Sequence, residues 1–210
     1  MSKLTAAPLS PETAFRRADE SADEKFYDFA RFVAHIDERA IEIVSELYRD
    51  FFPPNGAILD LMSSWISHLP NDVAYRRVAG LGMNAEELSA NPRLTETIVQ
   101  NLNADSRLPF GANEFDGAAI CVSVQYLIEP VAVFGEIARV LKTGAPLVVT
   151  FSNRCFPMKV VYAWNRLDDE GHVELVSEYF AQTEKFGEIE VRRHLPANSD
   201  PLFGVIARKK

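Results

Sequence analysis

The sequence is poor in cysteine, in long apolar runs and in clustered positive charge. Only two cysteines, Cys121 and Cys155, occur in 210 residues. This is too few for a disulfide scaffold and favours a reducing, cytoplasmic setting. No apolar run reaches the roughly 18 residues that a membrane-spanning helix needs, and the N-terminus lacks the apolar segment of a signal peptide. The net charge of −8 argues against a nucleic-acid partner, because phosphate binding relies on clustered Lys and Arg.

Several catalytic motifs are missing as well. Neither Cys-x-x-Cys nor His-Glu-x-x-His occurs, so no metal site is expected. The sequence has no Gly-x-Ser-x-Gly elbow of a hydrolase and no Gly-Lys-Ser/Thr phosphate loop. A nicotinamide-dependent dehydrogenase is disfavoured because Gly-x-Gly-x-x-Gly does not follow the first predicted strand.

The N-terminal quarter divides into an arm and a helical cap. Residues 1–24 mix charge, Ser and Pro without periodicity, which predicts a flexible arm. Asp37 is a candidate N-cap of a helix that ends before Pro53. The preceding stretch has apolar residues at helical spacing and predicts another helix. Its apolar face is Phe26, Phe29, Val33 and Ile36. These helices are expected to form a cap (residues 25–52) that is part of a single domain (residues 25–210).

From residue 57 onward, short apolar runs alternate with helical patterns. Trp65 and Leu69 predict a helix after the first strand, with Trp65 either anchoring it to the sheet, which is favoured, or packing against a bound ligand. Asn84 and Glu87 form a capping-box pattern, and Pro130 begins a further helix. Another helix is predicted near residues 173–182. Strands are predicted at 57–61, 77–81, 98–102, 117–124, 147–151, 188–191 and 202–207.

This alternation predicts an α/β fold with a doubly wound, mostly parallel sheet. The last two strands are joined by a short loop and are expected to form an antiparallel C-terminal edge. In such sheets ligands bind beyond the carboxyl ends of the strands. The residues that follow each parallel strand are therefore the candidates for a functional site.

Residues 108–130 contain, in order, Leu108-Pro109-Phe110, Glu114-Phe115-Asp116, an apolar strand and Pro130. This order resembles that of the class I S-adenosylmethionine-dependent methyltransferases, and the resemblance covers residues 55–155. The stretch 134–144 (FGEIARVLKTG) is similar to the family's E-x-x-R-V-L-K-P-G-G helix and turn. The resemblance implies a Rossmann-like methyltransferase fold and S-adenosylmethionine as cofactor.

The resemblance also implies which residues contact the cofactor. Asp60 stands at the family's acidic position, but the Gly-x-Gly-x-Gly turn is replaced by residues without glycine. Two serines are expected to keep this turn tight, with their amides facing a cavity. Gly82 stands where the family has the ribose-binding acid, so Gly82→Asp is expected to improve binding. The implied cofactor-binding residues are Asp60, Met62, Ser63, Ser64, Gly82, Met83, Asn84, Asn103 and Ser123.

Polar residues near the other strand ends are candidates for substrate binding. Arg154 is suited to an anionic group of the substrate. A general base is needed only if the acceptor carries a proton, and Tyr126, His35 and His68 remain alternatives. The candidate substrate-binding residues are His35, Gln125, Tyr126, Asn153 and Arg154.

The leading hypothesis is a cytoplasmic enzyme that methylates a small molecule, without a nucleic-acid or membrane partner. The alternative is a binding or regulatory protein that retains the fold and has lost catalysis, since a fold does not guarantee its usual chemistry. The absent glycines and ribose acid motivate this alternative. A cavity lined by Asp60, Ser63, Ser64 and Asn84 favours the enzyme, whereas Met62 or Trp65 packed across it favours the alternative.

Overall fold

The computed structural model describes residues 11–210, so the first ten residues of the expected arm lie outside the described residues. Within 11–210, seven strands form one sheet in the order β3-β2-β1-β4-β5-β7-β6. The strands are β1 (Ala57–Leu61), β2 (Arg77–Gly82), β3 (Glu96–Val99), β4 (Gly117–Cys121), β5 (Pro146–Phe151), β6 (Phe186–His194) and β7 (Leu202–Lys209).

The first five strands run parallel, and β7 pairs antiparallel with both β5 and β6. The predicted fold class and antiparallel edge are therefore confirmed. Strand order reverses between β1 and β4, and the carboxyl ends of both strands lie at this crevice, where ligands of such sheets bind.

Helices cover both faces of the sheet. Asp37 caps the helix that precedes β1, accepting a hydrogen bond from the Ala40 amide at 2.9 Å, as predicted. Pro130 lies in the first turn of the helix between β4 and β5, also as predicted. The helices are α1 (Pro11–Ala14), α2 (Asp23–Phe26), α3 (Glu38–Phe51), α4 (Ala85–Ala90), α5 (Pro130–Val140), α6 (Tyr162–Arg166) and α7 (Asp169–Thr183), with a 3₁₀ turn at Val124–Tyr126.

Two apolar clusters pack on opposite faces of the sheet. Val44 and Tyr48 of α3 pack with Ile58 of β1 on one face. Phe134 of α5 and Phe180 of α7 belong to the cluster on the other face. Alternate residues of each buried strand point into these two clusters, because successive side chains of a strand face opposite sides.

The predicted helix after β1 is wrong: residues 62–76 contain no helix. His68 has a φ of +53°, in the left-handed region that a right-handed helix excludes. Leu69 is nevertheless 5% exposed and packs in the same cluster as Val44 and Tyr48 of α3. Trp65 belongs to neither cluster, so its predicted role as a core anchor is also wrong.

The predicted helical face from Phe26 to Ile36 is wrong in most of its length. Helix α2 ends at Phe26, and residues 27–37 contain no helix. Phe29 is 76% exposed and Val33 is 54% exposed, so this stretch has no continuous buried face. Residues 17–36, which we term the roof segment, instead pass over the carboxyl edge of the sheet.

Candidate functional site

A cavity of about 330 Å³ lies between the carboxyl ends of the parallel strands and the roof segment. Its floor includes the loop after β1 and the residues after β2 and β4, and its other walls come from the roof segment and residues 154–159. A space of this size is at the lower end of the roughly 300–1,000 Å³ range of small-molecule sites.

The nine residues predicted to bind cofactor all line this cavity, as do three of the five predicted to bind substrate. Those three are His35, Tyr126 and Arg154. Gln125 lies outside it, because its side chain is fully buried and donates to the Val122 carbonyl at 3.0 Å. Asn153 is exposed and also lies outside the lining.

The loop after β1 is tight although it contains no glycine. Met62 has a φ of +55°, a left-handed conformation that glycine adopts without steric cost. The Ser63 amide donates to the Leu81 carbonyl of β2 at 2.8 Å. It therefore does not face the cavity, contrary to the prediction. Asn91 holds the rest of the loop by donating 2.8 Å hydrogen bonds to the Ser64 carbonyl and to Ser67 Oγ.

Asp60 is a buried carboxylate at the end of β1. Burial raises its pKa to about 6, although hydrogen bonds with Ser67 and Ser63 oppose the rise. Ser63 Oγ donates to Asp60 Oδ2 at 2.7 Å, and no cation pairs with Asp60 among residues 11–210. At neutral pH the side chain is ionised and poorly compensated, a state that costs free energy in the folded protein.

Because the buried charge of Asp60 lowers the stability of the wild-type protein, the stability of Asp60→Asn relative to wild type should depend on pH. The folded pKa of about 6 exceeds the ordinary value of 3.8, so the free energy of unfolding falls as the pH rises through that interval. The cost amounts to about 3 kcal/mol at neutral pH. We expect Asp60→Asn to be more stable than wild type by about 2–3 kcal/mol at pH 8, with a smaller advantage at pH 4. Urea denaturation at several pH values measures this difference.

The matched control is Asp72→Asn. Asp72 lies in an exposed ion pair with Arg49, and such pairs contribute about 0–1 kcal/mol. An advantage of Asp60→Asn that does not grow with pH would contradict an elevated pKa at Asp60.

At Gly82 the main chain of the loop after β1 packs directly against β2. A Cβ at Gly82 would lie 2.1 Å from the Ser63 carbonyl oxygen, so the loop after β1 occupies the space that a side chain needs. The expected benefit of Gly82→Asp is therefore wrong on steric grounds. Its φ is not the obstacle, because only Gly144 has a positive φ among the described glycines.

Polar side chains after β2 are bonded to the roof segment. Asn84 caps α4 by accepting from the Glu87 amide at 3.0 Å, and its Nδ2 donates to the Tyr27 carbonyl at 2.9 Å. Glu87 does not complete the predicted capping box. Instead, its carboxylate accepts from the Arg31 amide at 2.7 Å and from Ser64 Oγ at 2.5 Å.

A buried ion cluster fastens the roof segment to the domain. Asp23 accepts two hydrogen bonds from Arg17 Nη1, at 2.7 and 2.9 Å, and one from Asn103 at 3.0 Å. Lys159 is 1% exposed and lies 3.4 Å from Asp23 and 3.2 Å from Asp19. We call Arg17, Asp19, Asp23 and Lys159 the latch.

Residues 63–149 match the family described as "Methyltransferase domain". This match covers the loop after β1 and the strands from β2 to β5, and it supports the resemblance to class I S-adenosylmethionine-dependent methyltransferases. No curated protein matches it.

Solved structures with this methyltransferase architecture share little sequence with the chain. A Mesorhizobium loti S-adenosylmethionine-dependent methyltransferase is 14% identical, with 78% of this chain and 96% of that chain covered and a TM-score of 0.57. The [4+2]-cyclase SpnF is 15% identical, with 86% and 88% covered and a TM-score of 0.61. At such identities the structural likeness establishes the fold alone.

A third neighbour contains the methyl donor. It is phosphoethanolamine N-methyltransferase 2 from Haemonchus contortus, whose structure was determined with S-adenosyl-L-methionine. It is 14% identical, with 80% of this chain and 52% of that chain covered and a TM-score of 0.57. The matched methyltransferase domain supports S-adenosylmethionine as the cofactor of the chain, and this neighbour adds only the likeness of its fold.

The chemistry of the cavity at the end of β1 fits S-adenosylmethionine, which carries a sulfonium and an ammonium group. Asp60 would supply a buried carboxylate for these cationic groups. At the end of β2 the groups available to bind the ribose hydroxyls differ from the family pattern, because the space beside Gly82 is too small for an acidic side chain. Asn84 and Glu87 are the polar side chains available there, and the roof segment already bonds to both.

The three candidate bases occupy different settings. Burial raises the pKa of Tyr126 to about 12, and its hydroxyl accepts from the Phe156 amide at 2.9 Å. Burial, with a smaller contribution from His35, lowers the pKa of His68 to about 4. His68 is therefore neutral at physiological pH, whereas His35 lies on the roof segment against Phe156.

The sequence interpretation missed the contributions of the roof segment. The missed residues that line the cavity include Arg17, Asp23, Tyr27 and Arg31. The first two lie in the stretch 1–24, which has no apolar periodicity, and the other two lie off the apolar face of the helix that was wrongly predicted over 26–36. Lys159 was missed as well, and its only signal was a cation within the apolar stretch Met158–Tyr162. A cation in such surroundings requires a buried partner, and here the partners come from the roof segment.

No helix in residues 11–210 has both the length and the apolar character needed to cross a bilayer. The same residues contain no cluster of three or more His, Cys, Asp or Glu side chains suited to a metal ion.

Proposed function

We propose that this protein transfers a methyl group from S-adenosylmethionine to a small-molecule acceptor bound under the roof segment. The observation that carries the proposal is the shared lining of one cavity. The same space contacts Asp60 at the end of β1 and His35 of the roof segment. A cavity closed by a main-chain roof suits a small acceptor better than an extended polymer.

The residues of the chain would contribute mainly binding and alignment. Bound S-adenosylmethionine supplies a methyl group that its sulfonium already activates. Asp60 would hold the cationic part of this ligand, and the roof segment would exclude water from the acceptor. Alignment of two reactants alone is worth about 7–11 kcal/mol, so the proposal needs no strong acid or base.

The first test of this function is binding of S-adenosylhomocysteine. We expect it to raise the free energy of unfolding by about 2.7 kcal/mol at a hundredfold excess over its Kd. Asp60→Asn should weaken this binding, because it removes the charge that would hold the cationic part of the ligand. It should nevertheless stabilise the free protein at pH 8, since functional sites are often less stable than they could be. Isothermal titration calorimetry on both proteins measures the affinities. No heat of binding at millimolar ligand would count against the methyltransferase function.

The second candidate function is ligand binding or other chemistry on the same fold. Two observations favour it: the Ser63 amide is bonded to Leu81, and the Ser63 carbonyl fills the space beside Gly82. A structural neighbour with the same fold is named as a [4+2]-cyclase. Methyl transfer from labelled S-adenosylmethionine to candidate acceptors separates the two functions when the cofactor does bind.

A further inference from the structure

The charges of the cavity leave one cation without a carboxylate partner. Four Arg and Lys residues line the cavity. Arg17 pairs with Asp23 and Arg154 pairs with Asp200. Lys159 pairs with two aspartates of the latch. Within residues 11–210, Arg31 forms no ion pair, although its own main-chain amide donates to Glu87.

The Arg31 guanidinium is half-buried and held in place by the roof segment itself. Nη2 donates to the Phe26 carbonyl at 2.7 Å, and Nη1 donates to the Phe29 carbonyl at 3.2 Å. The group lies 4.6 Å from the centre of the Phe26 ring and 5.8 Å from that of Phe156. Aromatic faces and carbonyl oxygens orient a guanidinium without neutralising its charge.

Two of the five N–H groups of Arg31 are used by these carbonyls, and the others have no hydrogen-bond partner among residues 11–210. A guanidinium fork with free N–H groups matches the two oxygens of a carboxylate. Arg154, which the sequence suggested for an anionic group, is instead engaged by Asp200 at 2.8 Å. An anionic group in the cavity is therefore better matched by the unpaired charge of Arg31 than by Arg154, whose charge is paired with Asp200.

We propose that Arg31 binds the carboxylate of an anionic methyl acceptor, a proposal that rests on the methyl-transfer function above. The aromatic rings around Arg31 favour an acid with an apolar or aromatic body. The carboxylate of the methionine part of the cofactor has the same chemistry. The position of Arg31 favours the carboxylate of the acceptor. Its guanidinium lies over Phe156, which follows β5, whereas the proposed cofactor site is beside Asp60 at the end of β1.

The test uses carboxylates and their neutral amides as probes. Benzoate and 3-phenylpropionate are titrated against benzamide and 3-phenylpropionamide, with and without S-adenosylhomocysteine. We expect wild-type protein to prefer each acid over its amide by tenfold or more. Arg31→Met should remove this preference, and Arg31→Lys should keep part of it, because Lys retains the charge but lacks the fork. Arg39→Met removes an exposed positive charge from α3 and should leave the preference unchanged.

A second arm separates the two sources of carboxylate. S-adenosylhomocysteine has the amino-acid carboxylate and 5′-methylthioadenosine lacks it. Arg31→Met should bind both nucleosides as wild type does. A loss confined to S-adenosylhomocysteine would assign Arg31 to the cofactor and overturn the proposal. An acid preference that is absent in wild type, or that survives in Arg31→Met, would overturn it as well.

The failure of the methyltransferase function gives a different result. In that case neither nucleoside binds wild-type protein, while the titrations without nucleoside still report whether Arg31 selects a carboxylate. Circular dichroism and trypsin cleavage at Lys25 check that Arg31→Met retains the fold and the docked roof segment.

Discussion

Replacing Asp23 by Asn should release the roof segment while the sheet remains folded. Asp23 is 4% exposed and accepts from both Arg17 and Asn103. The neutral amide leaves Arg17 and Lys159 as cations with too little compensating charge. Breaking a buried pair on one side costs about 3–5 kcal/mol, because the remaining charge stays desolvated. Opening the roof segment relieves this cost by returning both cations to water.

The released segment should be visible in exchange and proteolysis. The Tyr162 amide donates to the Arg16 carbonyl at 2.7 Å, so its hydrogen exchange reports docking next to the latch. A loss of about 3 kcal/mol corresponds to exchange more than a hundredfold faster. Trypsin should cleave faster after Arg17 and Lys25. Asp72→Asn, in its exposed pair, is the matched control and should change neither rate.

Ligand kinetics should change in the same variant. The roof segment covers the cavity and bonds to Asn84 and Glu87, so a ligand has to pass it to enter or leave. We expect S-adenosylhomocysteine to dissociate faster from Asp23→Asn in stopped-flow measurements. A roof segment that resists trypsin as strongly as in wild type would contradict the role of Asp23 in the latch.

The pH dependence of docking has a definite sign. Burial alone would raise the pKa of Asp23, but hydrogen bonds from Asn103 and Arg17 hold it below the ordinary value. The carboxylate therefore stabilises docking at a pH above the ordinary Asp pKa of 3.8, and this contribution is lost as the pH falls through the lower pKa of the docked state. Trypsin is inactive there, so hydrogen exchange is the suitable measurement.

Local sequence patterns were sufficient to predict the strands of the sheet and the helix after β4. Residues 117–121 and 146–151 are almost wholly apolar, as buried parallel strands require. Pro130 and Gly144 mark the bounds of α5 and its following turn, and both act through their own backbone preferences. These signals are contained in a few neighbouring residues, so they can be predicted without knowledge of the fold.

The loop after β1 could not be predicted in this way. Trp65 and Leu69 have the spacing of a helical face, but Asn91, 24 residues beyond Ser67, supplies the hydrogen bonds that hold the loop. Trp65 Nε1 donates to the Val33 carbonyl of the roof segment at 3.2 Å. Long-range partners thus replace the hydrogen bonds that a helix would have formed, and periodicity contains no information about them.

The floor of the candidate site was predicted from the sequence, but His35 was the only residue of the roof segment that was predicted to line it. The residues after the strands follow from the sheet topology, which places them at one edge. The roof segment has no such rule, because its position depends on the latch and on Asn84 and Glu87. The sequence alone therefore does not distinguish Arg31 from the other Lys and Arg residues, of which there are 22 in total.

Gly82→Ala is expected to be the most disruptive single-methyl change at the site. The new Cβ would lie 2.1 Å from the Ser63 carbonyl oxygen and 3.2 Å from a methyl group of Leu88. The first neighbour is main chain and cannot rotate away, so the loop after β1 must shift. Overpacking of this kind typically costs about 1–3 kcal/mol, and occasionally more. The shift also moves Ser63 Oγ away from Asp60, so the affinity for S-adenosylhomocysteine should fall.

Gly135→Ala is the matched control for this change. Gly135 lies inside α5, and a Cβ there meets nothing within 4 Å. Alanine should therefore stabilise the helix by about 0.5–1 kcal/mol. Both variants add one methyl group. If urea denaturation shows a lower free energy of unfolding for Gly82→Ala and a higher one for Gly135→Ala, the difference is due to the contact with Ser63.

Gly82→Asp extends the argument to the acid that the family has at this position. Its carboxylate would begin from the same blocked Cβ, so it should destabilise the fold at least as much as Gly82→Ala and bind S-adenosylhomocysteine no better than wild type. The ribose-binding role therefore cannot be restored by a single substitution while the Ser63 carbonyl occupies this space. A Gly82→Asp protein with wild-type stability and tighter binding would show that the loop after β1 moves aside in solution, and the steric account of the missing acid would be wrong.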